Sequence, residues 1–216
     1  MTRGHVDLAI KRAPRQKRAI ETYERILDVA ARLLCEIGVE RISTNLIAAG
    51  AGIKVPTLYR YFPNKYAVLM ALGDRLMTHQ NAVIEEWLAR SAENPKPDAL
   101  IADILFLIER TIEVTRAEPG ALAISHALRA LPPLQDVRIA SHRMMSDVIV
   151  ERIGALLPHT SRDELWPRIR LSIELCYAAI EMALEEPKVD AATVANETSA
   201  HIQAYWREWL AAAAKR

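Results

Sequence analysis

Cysteine is nearly absent from this 216-residue chain: Cys35 and Cys176 are the only two, far apart and each on an apolar helix face. Such a pair excludes a disulfide framework and points to a reducing, cytoplasmic compartment. No apolar run approaches membrane-spanning length, and the charged N-terminus has no apolar stretch of signal-peptide type, so no membrane association is expected. The signatures of common enzymes are missing as well. There is no G-x-S-x-G, phosphate-binding G-x-x-x-x-G-K-[ST], H-E-x-x-H or C-x-x-C, and Gly50-Ala51-Gly52 reads as a turn rather than a phosphate cradle. His126 and His142 lack metal-ligand spacing, so neither a metal nor a cofactor is expected. These absences weigh against a helical enzyme.

Net charge is also close to absent, +1 in all, but it averages two unlike parts. Residues 1–65 carry twelve Lys/Arg against six Asp/Glu, while residues 66–216 carry sixteen against twenty-one. A basic head on an acidic body suits a protein that docks one end on a polyanion, and disfavours a helical scaffold with no DNA role. Half of the head's positive charge lies in its first eighteen residues, at Arg3, Lys11, Arg12, Arg15, Lys17 and Arg18. Residues 1–17 are expected to form a disordered basic arm. Such an arm either solubilises the chain or tracks phosphates and the minor groove, and both readings stay open.

What is present in abundance is helical periodicity, and its most informative stretch is RISTNLIAAGAGIKVPTLYRYFPNK, from Arg41 to Lys65. Ser43 or Thr44 is suited to cap a helix running through Leu46, Ile47, Ala48 and Ala49. Gly50 and Gly52 break that helix, and Ile53 re-enters the core. A second helix starts near Lys54 or Val55, with Pro56 in its first turn, where a missing N–H does no harm. Leu58 and Phe62 point inward, while Val55, Pro56, Thr57, Tyr59 and Arg60 point out. This is the layout of a helix-turn-helix whose second helix enters the DNA major groove. Thr44 and Asn45 on the first helix and Lys54 at the start of the second complete the candidate DNA contacts. Tyr59, Tyr61 and Lys65 have the reach to contact phosphates.

The block from Glu21 to Leu76 resembles the DNA-binding domain of the TetR family of transcriptional regulators. The first helix matches in ERILDVAARLLCEIGVERIST, with Gly38 as its stop, and the last in NKYAVLMALGDRL. The most specific piece, GIKVPTLYRYFPNK, is similar to the recognition helix of the tetracycline repressor. Lys54 departs from the family by standing where many members have Ser, and Asn45 stands where a charged residue is common. The resemblance implies a homodimer on double-stranded operator DNA, a small-molecule effector, and pairing of the last two helices with their symmetry mates.

The remainder reads as all-helical, for a total of nine helices: three and most of a fourth in the head, five in the body. Residues 18–66 are expected to be the DNA-binding domain and 67–216 the ligand-binding and dimerisation domain. Asp98 should cap a helix through Ile104 to Ile108, apolar nearly all round and therefore central. Leu134 to Leu157 forms one long helix, Ser161 with Glu164 a capping box for the next, and Asp190 to Ala213 the last. Val194, Ile202, Tyr205 and Trp209 make a stripe on that last helix which, with Ile173 and Ile180 before it, is the candidate dimer interface. The same stripe can instead close the monomer's own core. Candidate residues for an effector cavity are Trp87, Phe106, His126 and Arg143, with Met144, Trp166, Tyr177 and Glu181. A cavity so lined predicts a small hydrophobic or aromatic effector. Gly73, in the helix from Lys65, either flexes or permits close packing. The expected function is a ligand-responsive transcriptional regulator acting as a repressor, the alternative being a DNA-binding regulator with no small-molecule ligand.

Overall fold

The computed structural model describes residues 16–90 and 95–213, and every regular element among them is a helix. The basic arm foreseen over residues 1–17 lies almost wholly outside the described residues. The chain divides into two compact units. One holds the described residues up to Met77 together with Glu118–Ile139; the other holds Thr78–Ala117 and the described residues from Ala140 onward. The boundaries fall inside two helices, so the head reaches beyond residue 66 and takes in a segment that sequence reading gave to the body.

The first unit is built from α1 (Lys17–Arg41), α2 (Thr44–Gly50), α3 (Val55–Leu58), the first half of α4 (Lys65–Arg90), α7 (Ala121–Ala130) and the start of α8 (Gln135–Gly154). Its core is continuous, from Ile26, Leu27 and Leu34 through Ile47, Leu58 and Phe62 to Leu72, Ile124 and Leu128. The surroundings of Gly73 favour the packing reading of that glycine. A Cβ there would lie 2.7 Å from Leu128 Cδ2 and 3.3 Å from Val137 Cγ1, so the glycine is what lets α4 pack closely on α7. Gly38, at φ +73° and ψ 171°, leaves helical geometry and ends the first helical run of α1, as its place in the sequence predicts, with a further short turn carrying the chain on to Arg41. The Arg75 guanidinium ties the unit together: it donates to Glu24 and Asp28 on α1, at 3.1 and 3.0 Å, and to the buried Glu118 at 2.8 Å.

The second unit comprises the rest of α4, α5 (Pro97–Ala102), α6 (Ile104–Ala117), the rest of α8, α9 (Arg162–Glu185) and α10 (Ala191–Ala213). Ten helices are described instead of nine, because the one expected from Asp98 breaks at Asp103. Lys96, not Asp98, takes the cap position, and Asp98 sits in the first turn. The capping box of Ser161 and Glu164 forms as its spacing predicts. α6 packs against α9 and α10, and Ile108, at its centre, is fully buried. No helix among the described residues is long and apolar enough to cross a membrane.

Candidate functional site

Two surfaces carry chemistry, one in each unit. In the first, the Ser43 hydroxyl accepts from the Leu46 amide at 3.3 Å and so starts α2. Gly52, at φ +63°, makes the turn, a conformation a side chain would resist. Lys54 then leads into α3 without a side-chain cap, leaving its ammonium exposed, and Pro56 occupies the first turn. α3 itself is four residues long, but hydrogen bonds from Arg60 to Thr57 and from Tyr61 to Leu58 carry the coil onward. Leu58 and Phe62 are fully buried beneath it, as their spacing predicts.

Above this buried row Asn45, Lys54, Pro56, Tyr59 and Arg60 are exposed, and Thr44, Val55 and Thr57 are half-buried. Thr44 Oγ1 and the Tyr59 hydroxyl lie 3.2 Å apart in a hydrogen bond that joins the start of α2 to the end of α3. Two of the expected contact residues are partly committed elsewhere. Tyr61 stands edge-on to Tyr23, 6.2 Å between ring centroids, beside Phe62. The Lys65 ammonium donates to the Val39 carbonyl at 3.0 Å, anchoring α4 to the end of α1. One exposed group was not foreseen: Leu46, on the helix α2, is 44% exposed.

The second surface is an apolar pocket. A cavity of about 80 Å³ lies within the second unit, walled by Ile84 and Trp87 of α4, Leu100 of α5, Ile104 and Ile108 of α6, Ile149 of α8, Tyr177 of α9 and Trp206 of α10. Of the eight residues expected to form it, Trp87 and Tyr177 do. The other six lie elsewhere. Phe106 turns its ring to the Arg90 guanidinium, 3.9 Å away. Trp166 donates its indole N–H to Asp147 at 2.8 Å. His126 is exposed on α7 in the first unit, and Arg143 and Met144 are exposed on α8. Glu181, one turn beyond Tyr177, lies outside the wall. Of these, His126 and Arg143 are polar and exposed, as polar side chains usually are, while Met144 is an exposed apolar side chain and Glu181 is half-buried.

The candidate dimer stripe needs the same kind of correction. Ile173, Ile180 and Ile202 line the cavity, and Val194 and Trp209 are buried in the unit's own core; only Tyr205 is exposed. The apolar side chains that α9 turns to solvent are Leu171, Leu175 and Met182.

Burial sets the protonation of the wall. Desolvation pushes the Cys176 thiol up to about 12 and raises the Tyr177 phenol well above its ordinary value, so both stay neutral. Among the described residues no group of three or more His, Cys, Asp or Glu is placed to hold a metal.

Comparison with known proteins gives both units relatives. Residues 26–72 match the family model of bacterial regulatory proteins, tetR family, and residues 102–206 that of the tetracyclin repressor-like, C-terminal domain. The nucleoid occlusion factor SlmA of Pasteurella multocida is 30% identical over 134 residues, 61% of this chain and 62% of that protein. The chain thus spans less than two thirds of that relative's length. Among solved structures, a TetR-family regulator from Syntrophomonas wolfei superposes with a TM-score of 0.70 at 14% identity, covering 85% of this chain and 94% of that one. The SmeT–triclosan complex does so with a TM-score of 0.62 at 19% identity, covering 84% and 91%. At these identities the structural likeness speaks to fold alone.

Proposed function

The chain belongs to the TetR family of bacterial regulatory proteins, a DNA-binding transcription regulator rather than an enzyme, and from that premise we propose that it is a cytoplasmic, ligand-responsive repressor. It binds a palindromic operator as a homodimer and leaves it when a small hydrophobic or aromatic effector occupies the body cavity. A two-fold dimer follows from the head: one short recognition helix reads a single half-site, and the pair must sit about 34–36 Å apart to meet successive major grooves. Leu171, Leu175 and Met182 of α9, with Tyr205 of α10, supply an apolar face for the second copy.

The observation that carries the effector reading is the cavity itself. Packed interiors leave few voids larger than a water molecule. A pocket of about 80 Å³ walled by aliphatic and aromatic side chains supports the reading, because apolar concavities with few polar groups are where small hydrophobic ligands bind. An effector acts only through its differential affinity for the DNA-binding and released states, a coupling of about 1–3 kcal/mol in typical cases. α4 and α8 are the covalent route, since each contributes residues to both units.

The test is a gel shift on the chain's own upstream intergenic DNA, with random DNA as competitor, repeated across salt concentrations. Neutralising about 6–10 phosphates predicts a loss of roughly 10³–10⁵ in affinity between about 50 and 200 mM salt. Tyr59→Phe should weaken binding on every sequence, and Thr57→Ala should change which operator bases are preferred. Binding indifferent to salt and to sequence would remove the DNA reading.

A further inference from the structure

The wall of the cavity contains no Asp, Glu, Lys, Arg or His among the described residues. An ionised ligand would lose its hydration there with no counter-charge to replace it, which disfavours carboxylates, phosphates and ammonium groups. The polar side chains that do line the wall are almost all spoken for. The Thr111 hydroxyl donates to the Leu107 carbonyl at 2.7 Å. Ser172 donates to the Arg168 carbonyl at 2.9 Å and accepts the Trp206 indole N–H at 3.0 Å. The Trp87 indole donates to the Leu100 carbonyl at 3.3 Å.

Tyr177 is the exception. It is 8% exposed, lines the cavity, and its hydroxyl makes no hydrogen bond to any described residue. Its ring is held from the far side by His142, stacked at 4.5 Å between centroids and 9° from parallel, and His142 Nδ1 in turn lies 3.3 Å from Glu174. That hydroxyl is without a protein partner among the described residues, so a ligand oxygen placed on it gains a hydrogen bond that the apolar wall does not otherwise supply. The space sets the size: at roughly 10–15 Å³ per water-sized group, about 80 Å³ takes a single ring with one substituent.

Resting on the effector-cavity reading above, we infer that the cavity selects an uncharged, single-ring molecule bearing one hydrogen-bonding oxygen, and that the Tyr177 hydroxyl is the group that reads that oxygen.

Toluene, benzyl alcohol and benzoate test this, because they share a ring and differ in the head: none, one neutral oxygen, or a charge. Titration of the full chain, followed by calorimetry and tryptophan fluorescence, compares the native protein with Tyr177→Phe, which keeps the ring on His142. The ratio of benzyl alcohol to toluene affinity should fall about 3–10-fold in Tyr177→Phe, and benzoate should not bind where benzyl alcohol saturates. An unchanged ratio overturns the role of Tyr177. Benzoate binding as tightly as benzyl alcohol to the native protein overturns the ligand class, and needs no variant. Failure of all three to bind overturns the effector cavity and the proposal with it. Benzyl alcohol binding with the expected Tyr177 dependence but no change in operator affinity supports the ligand class and removes only the regulatory role.

Discussion

The imidazole of His142 lies flat against the phenol ring of Tyr177, 4.5 Å between centroids and 9° from parallel. His142 is itself buried, on α8, and so converts the packing of α8 on α9 into a fixed direction for the Tyr177 hydroxyl. Truncating it to Ala removes the back of the stack and leaves a void, which should cost about 2–4 kcal/mol in urea denaturation. Affinity for benzyl alcohol should fall with it, while toluene is less affected. His142→Phe restores a flat partner, and Glu174 keeps Arg170 at 2.8 Å. Phe should therefore recover the binding that Ala loses; if both variants bind benzyl alcohol equally poorly, the ring is not held by stacking.

A second prediction concerns the head. Arg75 serves three carboxylates, and one of them, Glu118, is 5% exposed at the side chain. Removing the guanidinium leaves that buried charge without its main counter-ion, a change that costs about 3 kcal/mol or more where burial is high. Arg75→Met should therefore unfold at lower urea concentration and weaken operator binding. Arg75→Lys should not rescue it, since a single ammonium cannot serve three separated acceptors as the planar fork does. Full stability of Arg75→Lys would show that charge alone suffices.

The head was legible because its signals are local. Ser43 before an apolar run, Gly52 where only a positive φ completes the turn, and Leu58 and Phe62 at helical spacing each specify structure from a few neighbouring residues. The body cavity was not legible in the same way. α9 is apolar on two faces: Ile173, Tyr177 and Ile180 fall at helical spacing, and so do Leu171, Leu175 and Met182. Periodicity finds both stripes and does not say which one meets the chain's own core. Ile173, Ile180 and Ile202 were accordingly assigned to a partner surface and turn out to wall the cavity. The break at Asp103 escaped for a related reason, since no glycine or proline marks it.

The two stripes make a third prediction. Leu175→Glu places a charge on the exposed face of α9, where a dimer would bury it, and should yield a folded monomer by light scattering with operator binding lost. Trp209→Arg attacks a side chain packed against Trp206 at 5.5 Å within the unit itself, and should unfold the body instead. A Leu175→Glu protein that stays dimeric would move the interface off this face.

The two cysteines allow the cavity wall to be read chemically. Thiol reagents attack the thiolate, so reactivity follows both exposure and protonation. Cys35 is exposed and should react promptly at pH 8. Cys176 faces the apolar cavity, and desolvation pushes its thiol from 9.0 up to about 12, so almost none is ionised at that pH. One thiol per chain should therefore label quickly and the second, half-buried and almost wholly un-ionised, far more slowly. The same shift has a consequence for stability. The folded chain favours the neutral thiol, so this contribution is intact below pH 9 and is lost as pH rises from 9 toward 12, with Tyr177 adding loss in the same direction above its ordinary value of 10.0. Cys176→Ala should flatten part of that alkaline fall in urea midpoint without changing the midpoint's slope against pH below 8. Rapid labelling of both thiols at pH 8 in the folded protein would mean that water reaches the wall, and that the cavity is not the dry, apolar space its lining describes.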